Sequence, residues 1–343
     1  MFKIGILGAG FMGNTHGICY NNMKGQGFEI AAVADFDAVK AAQVAEIFHA
    51  KIYKTADELI QNGDIDILDI CLPTYLHKEY ILKGMEKGCH ILCEKPMALN
   101  MEEAAEVMAA YKNYNKIVMT AHCIRFWPEF MMLAGYVQNR SLGRLLSAVF
   151  TRVSGRRRKG SSWEDWIVDE KRSGSAVIDL QIHDADFIRS LFGEPDSYQA
   201  SMYYNHNNPE HIFTQYVFGD TLVCAEAGWD YPTGIFPFNM GYRAVFEKGT
   251  VVFDQGAEKK VKVYMEDGEL IMPEVVYPNI APTGTTGNMP AVFGYYNEIE
   301  YFIECVKNKK PADRCPLSES FKSLKLVYDV FESSVKKGIY PGS

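Results

Sequence analysis

The sequence predicts an α/β protein of two domains, with a parallel sheet in the first and a mainly antiparallel sheet in the second. Three observations carry that expectation. The chain has 343 residues, more than the about 250–300 at which a single hydrophobic core stops growing. Over residues 1–121, short apolar runs alternate with helical patterns. After Arg125 the pattern changes to period-2 strands joined by tight turns.

In the first part, Lys3–Leu7, Glu29–Ala34, Ile65–Leu72, His90–Cys93 and Ile117–Ala121 are apolar runs that read as buried strands. Thr15–Asn22, Ala38–His49, Leu76–Lys87 and Met101–Tyr114 between them carry helix formers. This alternation gives βαβ units, hence a parallel sheet covered on both faces, with right-handed crossovers. In the second part, Tyr198–Tyr204, His211–Phe218, Thr221–Trp229, Tyr242–Phe246, Thr250–Asp254 and Lys260–Met265 read as antiparallel strands. Phe218-Gly219-Asp220-Thr221, Glu247-Lys248-Gly249-Thr250 and Glu266-Asp267-Gly268-Glu269 are hairpin signals. Pro273–Pro290 reads as a surface loop, and Tyr295–Lys307 and Ser318–Lys337 as closing helices. The domains are expected at 1–121 and 122–343.

Composition excludes whole classes. Hydrophobic residues are 48% and charged residues 23% of the chain, which is ordinary for a soluble globular protein. Lys plus Arg number 35 and Asp plus Glu 43, a net charge of −8. That balance argues against nucleic acid or an anionic membrane as the main partner. No apolar run approaches the about 20 residues of a membrane span. The N-terminus lacks the features of a signal peptide, so the expected location is cytoplasmic. The eight cysteines have no Cys-x-x-Cys spacing and are expected to be buried thiols in a reducing compartment.

Gly8-Ala9-Gly10-Phe11-Met12-Gly13 fits G-x-G-x-x-G. It follows an apolar strand and opens a helix, the context a dinucleotide site requires. Gly8 allows the tight turn, Gly10 lets a pyrophosphate approach the backbone, and Gly13 lets helix and strand pack closely. Free N–H groups at the helix start, through Phe11 and Met12, then face the phosphates. Asp35 lies 22 residues after Gly13, where an acid accepts hydrogen bonds from the adenosine ribose. A carboxylate there repels a 2′-phosphate, so NAD is favoured over NADP. FAD shares the fingerprint.

A second constellation joins two distant segments. Glu94-Lys95-Pro96 follows a strand, where ligands bind in open α/β sheets. Asp179 and His183 are four apart in Gly174-Ser175-Ala176-Val177-Ile178-Asp179-Leu180-Gln181-Ile182-His183-Asp184. On a helix they share one face, and a carboxylate beside an imidazole tunes it for proton transfer. Asp179 also fits a helix N-cap, and Asp184 a local hydrogen bond or cap. His183, Asp184 and Asp186 are adjacent acids and imidazole, but neighbouring ligands rarely face one ion, so no metal is expected.

With these segments in this order, the chain resembles the Gfo/Idh/MocA family of oxidoreductases. The resemblance rests on Gly8–Gly13, Cys71-Leu72-Pro73-Thr74-Tyr75-Leu76-His77, Glu94-Lys95-Pro96, Asp179-x-x-x-His183 and the closing helices with Tyr295-Tyr296-Asn297-Glu298. It implies an N-terminal Rossmann dinucleotide-binding domain followed by an α/β domain with a large open, mainly antiparallel sheet. One face of that sheet would form a homodimer or homotetramer. It implies hydride exchange between a nicotinamide and a carbon of a sugar, inositol or related polyol. Lys95, Asp179 and His183 match the family's catalytic trio. Pro73, Thr74 and His77 fall in its cofactor-contacting segment, and Glu94 and Lys95 lie near the nicotinamide ribose. Many members carry a glycine run before the Asp, where this chain has Ser173-Gly174-Ser175-Ala176.

Other residues are weaker candidates for substrate contact. Arg156-Arg157-Arg158-Lys159 is a dense basic run that reads as a solvated loop or, through bidentate Arg, as an anion site. Trp163 and Trp166 follow it and suit ring stacking or packing. His122 and Arg125 lie at the domain junction, and His206 and His211 in or beside a loop of the second domain. Two further functions stay open: a hydrolase or epimerase that uses NAD transiently, and an NAD(H)-sensing regulator without turnover.

Overall fold

The computed structural model describes residues 1–157, 159–160, 162–205, 208–280 and 292–335. Arg158, His206, residues 281–290 of the surface loop, Lys336, Lys337 and the side chain of Trp163 lie outside the description. The described chain divides into two compact units, Met1–Phe126 with Pro278–Lys322, and Trp127–Tyr277 with Ser323 onward. The sequence places one boundary at 121/122; the first unit runs on to Phe126 and also takes back a C-terminal segment.

The first unit runs β1 (Phe2–Leu7), α1 (Phe11–Asn22), β2 (Phe28–Ala34), α2 (Ala38–Phe48), β3 (Lys51–Tyr53), α3 (Ala56–Asn62), β4 (Ile67–Ile70), α4 (His77–Lys87), β5 (His90–Glu94), α5 (Met101–Tyr111) and β6 (Val118–Ala121). β3 and α3 are too short and polar to stand out in the sequence. The strands pair in parallel in the order β3-β2-β1-β4-β5-β6. β4 is buried at all four positions, as a strand covered on both faces must be. Each fully buried Ile or Leu there contributes about 1.5–3 kcal/mol. Side-chain caps start the helices: Asp37 accepts the N–H groups of Val39 and Lys40, and Asn100 that of Glu103.

The second unit begins with α6 (Pro128–Asn139), β7 (Leu145–Gly155), a 3₁₀ turn (Trp163–Val168), α7 (Glu170–Ser173), a π-helical turn (Val177–Gln181) and α8 (Ile182–Phe192). It continues with β8 (Ser197–Asn205), β9 (Asn208–Phe218), β10 (Thr221–Tyr231), β11 (Asn239–Phe246), β12 (Gly249–Asp254), β13 (Val261–Met265) and β14 (Leu270–Ile271). The sheet order is β14-β13-β12-β11-β7-β10-β9-β8. The expected hairpins join β9 to β10, β11 to β12 and β13 to β14. β7 and β10 pair in parallel, so the sheet is mainly and not wholly antiparallel. On one face Phe130 of α6 meets Phe187 of α8, Tyr242 and Phe253 edge-on at ring distances of 5.0, 5.4 and 5.7 Å. The other face keeps Tyr203, Phe213, Leu222, Val245 and Tyr264 exposed.

Two helices close the chain, α9 (Phe293–Asn308) and α10 (Leu317–Val335), near their sequence-predicted bounds. α9 packs on α1 and on the 3₁₀ turn Cys123–Phe126 within the first unit. None of the eight cysteines is in a disulfide. No helix among the described residues is long and apolar enough to cross a membrane.

The segment around Asp179 differs from the expected regular helix. Gly174 and Ser175 are both left-handed, with φ of +74° and +67°. A Cβ on Gly174 would stand 2.5 Å from that of Ile178, so a glycine is required there for space as well as φ. Asp179 is inside the π turn and caps no helix. Asp184 is also not a local cap. It takes a bidentate ion pair from Arg152 of β7, Nε to Oδ2 at 2.8 Å and Nη2 to Oδ1 at 2.9 Å, both side chains buried. Removing one partner leaves the other charge uncompensated in the core, which costs about 3–5 kcal/mol. Asp184→Ala is therefore expected to lose that much stability in urea unfolding, and the double variant Arg152→Met/Asp184→Leu to regain most of it.

Candidate active site

The strand order of the first sheet reverses between β1 and β4. Chains leave their carboxyl ends in opposite directions there, which opens a crevice for ligands. The Gly8–Gly13 turn follows β1, and Cys71–Thr74 follows β4. Gly8 has φ of +88°, and a Cβ on it would meet the Cys71 carbonyl oxygen at 2.6 Å. A Cβ on Gly13 would meet the Gly8 carbonyl oxygen at 1.8 Å. Gly10 is the opposite case: its Cβ would meet nothing within 4 Å. The first two glycines are required by the protein itself, while the space over Gly10 is left for something else. No side chain caps the start of α1, so its first N–H groups, from Phe11 to Gly13, face outward with the helix's positive end.

Asp35, at the end of β2, is half-buried. Its Oδ2 accepts the Ala9 N–H at 2.6 Å and its Oδ1 the Asp37 N–H at 2.8 Å. The carboxylate thus shapes the glycine turn and keeps lone pairs for a ribose. Pro73 precedes a 3₁₀ turn begun by buried Thr74. His77 is buried, with Nδ1 2.6 Å from the Pro96 carbonyl oxygen and Nε2 2.8 Å from that of Leu72. Burial holds its pKa down against the pull of those carbonyls. Its ring therefore fills the space between the loops after β4 and β5. Lys95 is half-buried after β5, and its N–H donates to Glu94 Oε2 at 3.2 Å.

The structure adds a group that the sequence reading missed. His16 of α1 is fully buried, with Nδ1 at 2.9 and 3.1 Å from the Asp69 oxygens and Nε2 at 3.2 Å from Glu94 Oε1. Tyr20 donates its hydroxyl to Asp69 at 2.9 Å. Burial alone would lower the His16 pKa, but the carboxylate of Asp69, by charge and hydrogen bond, outweighs it and holds the imidazole well above its ordinary value, with the Cys71 sulfur as a further hydrogen-bond partner. Glu298 of α9 lies beside them, also fully buried. The available signal was a lone Asp in the apolar run Ile67-Leu68-Asp69-Ile70.

Among the remaining candidates, His122 is buried in the first unit. Arg125 donates to the Arg314 carbonyl oxygen at 2.9 Å, and Arg314 Nη2 returns a bond of 3.3 Å to the Arg125 carbonyl. In the second unit, Asp179 is 9% exposed, and His183 is half-buried at the start of α8. Neighbouring Gln181 donates to Thr214 and Tyr216 on one sheet face. His211 lies on the other face of β9, stacked on Phe213 at 4.6 Å. Its Nδ1 bonds Asp230 at 2.7 Å, and its Nε2 faces Glu226 at 3.2 Å as an ion-pair contact. The structure thus separates His211 from the Asp179/His183 segment. Arg156 pairs with Glu210 at 3.1 Å, so its charge is already balanced, and Trp166 is half-buried in the 3₁₀ turn.

Comparison with known proteins gives these features a context. Residues 2–122 match the model of an oxidoreductase family with an NAD-binding Rossmann fold. Residues 130–271 match the GFO/IDH/MocA C-terminal domain. The chain belongs to the GFO/IDH/MocA family. Its similar relatives include glucose-6-phosphate 3-dehydrogenase of Bacillus subtilis, 32% identical over 56% of this chain and 54% of that enzyme. Levoglucosan dehydrogenase of Pseudarthrobacter phenanthrenivorans is 30% identical over 56% of this chain and 51% of its own. The matched stretch thus spans about half of either enzyme. Inositol 2-dehydrogenase 1 of Paenarthrobacter aurescens is 29% identical over 73% of this chain and 72% of its own. A solved levoglucosan dehydrogenase, in complex with NADH and levoglucosan, shares the fold with a TM-score of 0.82, 21% identity and 98% coverage of both chains.

Against that family's cofactor the glycine turn can be tested. Free space over Gly10, uncapped N–H groups and an acid at Asp35 fit a pyrophosphate and its ribose. Gly10→Val is expected to leave the melting temperature within about 2 °C, a shift that surface-like changes produce. It should weaken NADH binding, read by fluorescence titration, at least tenfold. Gly13→Ala should instead lower the melting temperature, because its Cβ collides with backbone.

Proposed function

We propose that this chain is an NAD-dependent dehydrogenase or reductase acting on a CH–OH carbon of a sugar, inositol or related polyol. The observation that carries the reading is the open space at Gly10 on the β1/β4 crevice, with Lys95 at the carboxyl end of β5 beyond it, in a chain of this family. Relatives named for sugar and inositol oxidation support the substrate class.

Bound NAD would supply the hydride acceptor. Gly8, Gly10, Phe11, Met12 and Gly13 hold its pyrophosphate and Asp35 its adenosine ribose. Pro73 and Thr74 wall the crevice, with His77 bracing them from behind. Glu94 sets the backbone of Lys95, whose ammonium holds the nicotinamide ribose and stabilises charge developing on the substrate's alcohol oxygen. His183 takes the hydroxyl proton as general base, the role an imidazole fills in proton transfer near neutral pH. Asp179 binds a neighbouring hydroxyl and orients the imidazole. His122, Arg125 and Trp166 remain candidates for sugar contact.

A panel of polyols and sugars, including acidic and phosphorylated ones, tests this. Net NADH formation is expected with at least one compound. Lys95→Ala and His183→Ala should each cut kcat/KM by about 10²–10⁴-fold, with NADH binding retained in His183→Ala. Turnover without net NADH would move the reading to a hydrolase or epimerase. Binding with no turnover would move it to an NAD(H) sensor.

We also propose a homodimer or homotetramer through the open sheet face, where Phe213 is 54% and Leu222 45% exposed. Apolar side chains gathered on one face mark an interaction surface. Sedimentation should show more than one copy for the native chain and a smaller particle for Phe213→Glu.

A further inference from the structure

The cluster below Lys95 has more acid than its one base can balance. Asp69, Glu94 and Glu298 are three carboxyl groups around one imidazole, and Asp69, His16 and Glu298 have no exposed surface at all. His16 faces a carboxylate with each ring nitrogen. Carboxylates accept only, so satisfying both contacts takes two N–H donors, which only an imidazolium has. His16 then balances one of its two carboxylate neighbours, and the cluster is already at −1 before Glu298 is counted.

Glu298 has no such partner. Both its oxygens are buried and lack a hydrogen bond among the described residues. One nitrogen of His16 and one oxygen each of Glu94 and Glu298 lie within 4.8 Å of one another. A second unpaired carboxylate against Glu94 would be prohibitive in a dry site, where like charges this close do not both ionise. The groups that face His16 are Asp69 and Cys71 from β4 and its following residue, Glu94 from β5, Cys19 and Tyr20 from its own helix, and Glu298 and Tyr295 from α9. None is a Lys or Arg that could relieve the excess.

We propose that Glu298 is a neutral, protonated acid that shares its proton with Glu94 and so acts as a positioning residue for the Glu94–Lys95 turn. Glu94 then has the imidazolium of His16 at 3.2 Å on one side and a neutral acid, Glu298, in place of a second charge within 4.8 Å on the other. Its other oxygen is left to hold the Lys95 N–H. No bond changes other than this shared proton. In this way α9, about 200 residues away in sequence, sets the backbone that presents Lys95. The positioning role rests on the proposed function; the protonation does not. Burial and the charge of Glu94 both push the Glu298 pKa up, in keeping with that state.

The test uses the full chain and Glu298→Gln, which mimics the neutral acid. Wild type at pH 7 should show the infrared carbonyl band of a protonated carboxyl, and E298Q should lack it. Unfolding ionises a neutral Glu298, so the group stabilises most at low pH and loses that contribution as pH rises toward its folded pKa. The unfolding constant of wild type relative to E298Q should therefore rise about tenfold per pH unit between pH 5.5 and 7. NADH affinity should stay within about threefold in E298Q and fall about tenfold in Glu298→Ala. A pH-independent ratio with no difference band overturns the proton. One equivalent of divalent metal in wild type, lost in E298Q, also overturns it. Equal NADH affinity in wild type and Glu298→Ala overturns the positioning role. If wild type binds no NADH at all, the functional reading fails, while the infrared and unfolding results still decide the protonation.

Discussion

A carboxylate in the middle of a buried parallel strand needs a fixed partner, and much of the first unit is arranged around that need. Asp69 sits on β4 with no water to solvate it. His16 and Tyr20 supply its hydrogen bonds, and both come from α1. They are four residues apart, so they lie on one helical face, which sets the rotation of α1 over the sheet. The helix that must present its N-terminus to the crevice is thereby held by an ion pair a turn further along. Breaking a pair this deeply buried leaves a charge with nowhere to go, so the orientation of α1 is costly to change.

The same helix is constrained at its start by contact distance. Gly13 and Gly8 allow backbone to lie on backbone, and Cys71 closes the arrangement from β4. Side chains are excluded there for reasons of folding. At Gly10 the protein has no such need, and the vacancy points outward. The glycine motif therefore contains two kinds of position, and only one of them speaks directly about a ligand. His77 belongs to the first kind, since its buried ring lies between the Leu72 carbonyl after β4 and the Pro96 carbonyl after β5.

The sequence made the parallel sheet, the hairpins and the glycine turn legible because each follows local rules. Apolar runs of strand length, Gly-containing turns and motif spacing are all short-range signals. Long-range pairs leave no such trace. Nothing local marks Arg152 as the partner of Asp184, so the sequence alone suggests a cap. The π turn at Asp179 depends on two successive left-handed residues, and a serine in that conformation is not anticipated from composition. α6 is not legible locally, because it begins at Pro128 where the chain changes from one pattern to the other. The return of α9 to the first unit, with Glu298, is likewise a matter of topology.

Two histidines with acidic neighbours show how burial decides what such a cluster can do. His211 bonds Asp230 and faces Glu226, whose side chains are 25% and 24% exposed. Its pKa is raised and that of Glu226 lowered, burial working against the two acids at the imidazole. Water and salt reach those carboxylates, so excess charge is screened there and the cluster tolerates a second acid. Around His16 the side chains have no exposure beyond the 7% of Glu94. The same stoichiometry of one imidazole to two carboxylates is complete there, and a third acid has to enter without its charge. The distinction lies in solvent access and not in residue type, which is why the two histidines look alike in the sequence and differ in the fold.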